Sequence, residues 1–405
     1  MNTTMKAGDP DKPESSSGGI LDRLMKRLGF QDLGMLPIIL GLAAIWIIFQ
    51  IANRNFLRPV NLTNLTLQIV GTGVISVGMV LILFLGEMDL SVGSLSGLGA
   101  AVMSVLSVKM GLSGPLAVLL GILVGTAVGL FQGNWIARLR IPSFIVTLAG
   151  QLTWLGALLY VLGPTGTINL LDPFVTGLAG TFLPQIAGWA IGGAYTALNV
   201  YFLFSERRQR VAQGLDALSF DAVVARSVIT ALLVLGSVAV FNTDRGLPLS
   251  VLIFVGLIAI FDQIIRRTTF GRHVMAVGGD PEAARRASIN VERIRVSIFT
   301  LASTLAAFGG IMAGSRLMAV SQSSGSGDVL LNAIAAGVIG GTSLFGGRGS
   351  VWSVLVGSLV IGSIANGMDL LALQSSIKFM ITGGVLLIAV TIDAVSRRRR
   401  EAAGR

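Results

Sequence analysis

The stretch Gly271–Arg295, GRHVMAVGGDPEAARRASINVERIR, is the most polar insert between the apolar segments of the C-terminal half. Gly278-Gly279 is expected to break whatever precedes it. Asp280 then offers a side-chain oxygen as an N-cap, and Pro281 suits the first helical position, where no N–H is needed. Glu282 favours the positive helix end, and Ala283, Ala284 and Ala287 form helix readily with little bulk. The spacing predicts a surface helix of about two turns, with a smooth alanine face and Arg285-Arg286 beside it. Two readings stay open from these residues: a helix that slides into a groove on another protein, and a solvated loop helix that touches nothing.

Outward from this insert the chain is apolar. Of 405 residues, 53% are hydrophobic and 12% charged, with mean hydropathy +0.80. Soluble domains carry about 25% charged residues, so this composition argues an all-α integral membrane protein. The absence of Cys excludes disulfides and thiol chemistry. His273, the single histidine, lies in the polar insert and reads as a surface residue, because a metal site needs several ligands. No metal site and no catalytic constellation is expected. The net charge of +10 raises nucleic acid as a partner, but its placement argues membrane topology instead.

Apolar segments lie near 33–52, 66–85, 91–110, 115–136, 143–162, 181–204, 226–241, 248–265, 296–318, 329–345, 350–368 and 375–395. Segments 226–241 and 329–345 are short for a full span, so ten spans with two re-entrant segments stays open beside twelve. The expected architecture is a polytopic bundle of about 10–12 transmembrane helices with both termini cytoplasmic. Alternating sides from an inside N-terminus puts 24 of the 30 Lys and Arg residues on cytoplasmic stretches, as the positive-inside rule requires. Residues 1–32 read as a disordered cytoplasmic tail without a cleavable signal pattern. Residues 33–395 form the membrane domain, with cytoplasmic loop 266–295. Residues 396–405 form a basic cytoplasmic tail, whose Arg397–Arg400 run suits anionic lipids.

Within the spans, Gly121, Gly125 and Gly129 stand four apart on one helix face, and Gly188 and Gly192 repeat the pattern. That spacing lets helix backbones approach closely. Glu87 and Asp89 are the only acids between Asp32 and Asp172. Asp89 can cap a helix starting at Leu90, with Ser91 in its first turn, or the group can serve as a gate. Asp262 is expected to pair with Arg266 at i,i+4. The remaining interior polar residues are neutral. Gln68, Gln151, Trp154, Asn332 and Asn366 suit a path for an uncharged hydrogen-bonding solute, although each also suits a helix–helix hydrogen bond. The segment Ser321–Gly327, SQSSGSG, reads as a flexible outer loop. The Gly-rich junctions 86–93 and 340–349 look loosely alike. The chain has no Gly-Lys dipeptide and hence no Walker A phosphate loop. Any energy must come from a partner or an ion gradient. The second option, an ion-gradient-driven secondary transporter, is disfavoured by the scarcity of buried ionisable groups.

Three further motifs accompany the polar insert: GEMDLSVGSLSGLGA at Gly86–Ala100, IPSFIVTLAG at Ile141–Gly150 and NAIAAGVIGGTSLFGGRGSVWSVLVGSLVIG at Asn332–Gly362. Together they resemble the permease subunits of bacterial sugar ABC importers, the ribose- and xylose-type monosaccharide branch, from about residue 60 to 395. The longer middle region is most similar to the xylose type. The resemblance implies a multi-pass inner-membrane permease without enzymatic activity of its own. It also implies a second copy of the chain, ATP-binding subunits that hold ATP and magnesium, and a periplasmic sugar-binding protein. No cofactor is expected in this chain. In that family the polar insert is the coupling loop that docks on the ATPase. The contacts implied are Gly278, Gly279, Asp280, Glu282, Ala283, Ala284 and Arg285, and replacing Ala284 with Trp is expected to abolish uptake while leaving the chain inserted.

Overall fold

A computed structural model of the chain describes residues 36–402. Helices dominate, because in hydrocarbon every backbone N–H and C=O must be satisfied within its own segment. All twelve apolar segments are helical. Helix α1 covers Leu36–Ala52, α2 Pro59–Phe84, α3 Val92–Ser104 and α4 Gly114–Leu139. A π-turn at Val105–Lys109 extends α3. Helix α5 covers Ser143–Leu162, and a short helix α6 Pro173–Gly180 follows it. Then come α7 Gln185–Ala212, α8 Phe220–Asn242 and α9 Leu249–Arg267. Helices α10 Thr269–Gly279 and α11 Pro281–Arg286 form a hairpin, followed by α12 Val291–Leu317, α13 Gly327–Ile339, α14 Ser353–Leu370 and α15 Ser375–Ala402. Among the described residues, nine of these helices are long and apolar enough to cross a membrane, and α1, α13 and α15 carry shorter apolar stretches.

Several boundaries differ from the sequence reading. Segment 226–241 belongs to a 23-residue helix, α8, and is not short. Segment 329–345 is helical only as far as Ile339, the end of the 13-residue helix Gly327–Ile339, and stays short. Loop 266–295 is more helical than a single short helix: α9 runs on to Arg267, a further helix α10 precedes the expected one, and Gly278-Gly279 end α10, the break the sequence placed there. The basic tail continues α15 as far as Ala402. The expected tail 1–32 lies outside the described residues.

The chain divides into two compact units. Among described residues the smaller comprises Ile191–Gly236, most of α7 and α8. There the Arg207 Nε donates to the Leu218 carbonyl at 3.1 Å, its guanidinium lies 5.7 Å from the Phe220 ring, and Phe204 meets Phe220 edge-on. The larger unit, Gly34–Ala190 with Ser237–Arg405, is built on α2 and α12. These two run antiparallel at van der Waals limits: a Cβ at Gly78 would lie 2.8 Å from the Ala302 carbonyl oxygen, and one at Gly71 2.9 Å from the Ala313 Cβ. The glycine stripe of α4 packs as its spacing implied. Gly125 sits on Ser303 and Ala307 of α12, Gly129 on Ser303, and Gly133 continues the row against Val296.

Two small antiparallel pairs close the end of the larger unit away from the α10–α11 hairpin. Strand β1 (Thr167–Asn169) pairs with β4 (Ala319–Ser321), and β2 (Phe182–Leu183) with β3 (Leu247–Pro248). From β4 the chain turns inward. Gly325 and the Ser324 carbonyl press on Gly93 and Gly97 of α3, and Leu330 at the start of α13 also packs against Gly93. SQSSGSG is therefore not a free outer loop. It is re-entrant backbone that reaches the first turns of α3, and α13 needs only the remaining depth. Non-helical backbone at such depth is tolerated only where protein surrounds it.

Candidate functional site

The hairpin is fixed by local chemistry. Asp280 Oδ1 accepts from the Glu282 and Ala283 amides at 2.9 and 3.0 Å, so the expected cap forms. Ser288 adopts φ 61° to leave the helix, and Asn290 Oδ1 accepts from Arg293 N at 2.9 Å to start α12. Arg285 Nη1 donates to Glu282 Oε1 at 2.5 Å on the exposed side. The alanine face divides: Ala283 and Ala287 are exposed, whereas Ala284 is buried in the core with Val277, Val291 and Ile294. Gly279 stands open, and Gly278 does not. A Cβ on Gly278 would lie 1.7 Å from the Phe84 carbonyl oxygen at the end of α2. Of the seven expected contacts, Glu282, Ala283 and Arg285 are exposed side chains, and Gly278 and Ala284 hold the hairpin to the bundle.

That support joins the motifs found in the sequence. Phe84 O accepts from Gly347 N at 3.0 Å. Gly86, Gly346 and Gly347 all take left-handed φ angles of 69°, 85° and 69°, which glycine adopts at no steric cost. A Cβ on Gly346 would lie 2.5 Å from the Gly278 carbonyl oxygen and 2.8 Å from Gly86 N. The two junctions 86–93 and 340–349, read as merely alike, thus meet beneath the hairpin.

Glu87, Asp89 and Ser91 sit just inside this junction. Asp89 is fully buried. Its Oδ1 accepts from Ser91 N at 2.8 Å and Ser91 Oγ at 2.6 Å, while Oδ2 has no partner. The expected cap by Asp89 does not form: the helix begins at Val92 with Ser91 as its N-cap residue, and Asp89 instead closes a local turn onto Ser91 just before it. Burial pushes the Asp89 carboxyl up, and the Ser91 hydroxyl and amide offset only part of this. Ser91 Oγ also meets Gln132 Oε1 of α4 at 3.3 Å. Burial likewise pushes Glu87 up, against the opposing pull of the Arg295 charge and the Ser143 hydroxyl. A Glu87 oxygen lies 2.6 Å from Arg295 Nε. The expected Asp262–Arg266 pair is present at 2.8 Å. Among the described residues no group of three or more potential metal ligands exists.

Of the five expected path residues, Gln68 and Asn332 come together. With Thr72 and Ser358 they line a cleft of about 70 Å³ between α2, α13 and α14. The Ser358 hydroxyl is buried there without a partner. Asn366 instead exchanges amide hydrogen bonds with Asn61 at 2.8 and 3.1 Å. Gln151 and Trp154 lie apart on α5, with the Trp154 Nε1 buried and unpartnered. The sequence reading missed Gln132, Thr72, Ser358 and Arg295. Gln132 was signalled as one of two amides, with Asn134, near the C-terminal end of a glycine-striped span, and Arg295 lay unremarked at the end of the opening stretch.

A polytopic bundle with a capped hairpin and a small cleft between α2, α13 and α14 has the architecture of a membrane permease. Residues 61–390 match the family described as "Branched-chain amino acid transport system / permease component", and the chain belongs to that family. It is similar to the xylose transport system permease protein XylH of Escherichia coli (strain K12), at 36% identity over 385 residues, 95% of this chain and 96% of that one. XylH of Haemophilus influenzae is 35% identical over 93% of this chain and 100% of its own. The ribose import permease protein RbsC of Bacillus subtilis is 31% identical over 87% of this chain and 91% of its own. No solved structure matches the chain.

Proposed function

We propose that this chain is the membrane subunit of an ATP-driven importer that passes a monosaccharide, xylose or a related pentose or hexose, across the bacterial inner membrane. The observation that carries the reading is similarity to xylose permeases along nearly the whole chain, the middle extension included. Two copies associate, a periplasmic binding protein delivers the sugar, and ATP with magnesium binds on separate subunits docked on α11. Exposed Glu282, Ala283, Arg285 and Ala287 form the docking face, and Gly278 and Ala284 transmit its motion into the bundle. Gln68, Thr72, Asn332 and Ser358 line part of the sugar path. Ligand sites run to about 300 Å³ or more, so a cleft of about 70 Å³ is a closed state that opens when the helices rock.

Reconstitution tests this. Proteoliposomes containing the chain, its ATPase subunit and the binding protein should accumulate xylose only with ATP on the ATPase side. Accumulation without ATP that is abolished by an uncoupler would overturn the reading.

A further inference from the structure

One ion pair joins the element that follows the hairpin to a different helix connection: Glu87 and Arg295, with side chains 11% and 23% exposed. The contact is close, and the Ser143 hydroxyl also bears on the Glu87 carboxylate. Replacing a buried ion pair by apolar residues of similar volume is often neutral or stabilising. Stability alone therefore does not account for this pair.

Its position does. Arg295 lies in the second turn of α12, which continues directly from α11 through residues 287–290, so any tilt of the hairpin moves this guanidinium. Glu87 lies in the α2–α3 connection, which is tied to two other helices. Leu90 N donates to Thr147 Oγ1 of α5 at 3.1 Å, Met88 N approaches Ser143 Oγ at 3.5 Å, and Ser91 meets Gln132 of α4. We propose that the Glu87–Arg295 ion pair is the strut through which displacement of the α10–α11 hairpin reaches the α2–α3 connection, and from there α4 and α5. Both are positioning residues for coupling. The inference rests on the docking reading above.

The test compares four variants of the full complex in proteoliposomes: Glu87→Gln, Arg295→Gln, the exchange Glu87→Arg with Arg295→Glu, and the apolar pair Glu87→Leu with Arg295→Met. Three readouts are taken: co-purification of the ATPase subunit, thermal stability, and sugar uptake per ATP hydrolysed. The single variants should keep the ATPase subunit bound and lower uptake per ATP by roughly two- to thirtyfold, the range of coupling effects seen along such networks. The exchange should recover part of the loss. The apolar pair should match the parent in stability yet remain poorly coupled. Normal coupling in the apolar pair would show that the pair only fills space, and would overturn the proposal, as would undiminished coupling in both single variants. Loss of ATPase co-purification in the single variants would also overturn it, by placing the pair in docking itself. Failure of the docking reading alone reads differently: an Ala283→Trp variant would then bind the ATPase subunit and transport normally.

Discussion

Asp89 shows how one buried carboxyl can hold a junction and resist its own ionisation. Its Oδ1 serves the Ser91 amide and hydroxyl, and its Oδ2 serves nothing. Because burial raises its pKa in the fold, the folded chain holds this proton more tightly than the unfolded chain. Stability from this group is therefore fullest at acid pH and declines as pH rises from the ordinary carboxylate range through the raised value. Asp89→Asn keeps an acceptor for Ser91 and removes the ionisation. It should match or exceed the parent in thermal stability near pH 8, an advantage that shrinks towards pH 5. Asp89→Ala, which strands the Ser91 amide, should be less stable throughout. A parent that gains stability relative to Asp89→Asn on going alkaline would refute the account. A local role for Asp89 at the start of α3 was legible in the sequence, but its bonds go to Ser91 ahead of the helix, not to the helix's first amides. The raised pKa was not, because it depends on α4 and α5 enclosing the site.

The α10–α11 hairpin divides its alanines by partner. Ala284 lies among Val277, Val291 and Ile294, while Ala283 and Ala287 face outward. Bulk at Ala284 therefore overpacks the support, which typically costs about 1–3 kcal/mol. Bulk at Ala283 touches nothing within the chain. Ala283→Trp should leave thermal stability unchanged and abolish both ATPase association and uptake. Ala284→Trp should lower stability first, so its loss of uptake does not by itself report docking, contrary to the expectation drawn from sequence. Equal stability loss in both variants would contradict the division. The helix itself was readable from Asp280, Pro281 and the alanines. Its buried side was not, because alanine spacing is the same whichever face turns inward. SQSSGSG misled for a related reason. Serine and glycine compose an exposed linker and a re-entrant turn alike, and only Gly93 and Gly97 opposite Gly325 distinguish them.

At the scale of the whole molecule, the number of segments was legible because a run of about 20 apolar residues identifies itself by composition. Their pairing was not, apart from the α4 glycine row. Orientation follows from the basic residues. The chain contains no cysteine, so single replacements report sidedness without background. Ala287 and Gln209 are exposed, and Leu171 is 79% exposed beyond β1. One long apolar helix, α7, separates residue 171 from 209, and two, α8 and α9, separate 209 from 287. Parity therefore puts 209 and 287 on one side and 171 on the other. The positive-inside rule names the first side cytoplasmic. In intact cells stripped of their outer membrane, Leu171→Cys should react with an impermeant maleimide, whereas Gln209→Cys and Ala287→Cys should react only after the inner membrane is opened. Labelling of Ala287→Cys from outside would place the hairpin away from any cytoplasmic ATPase and remove the basis for coupling through it. Opposite sidedness of 209 and 287 would mean that α8 and α9 do not both cross.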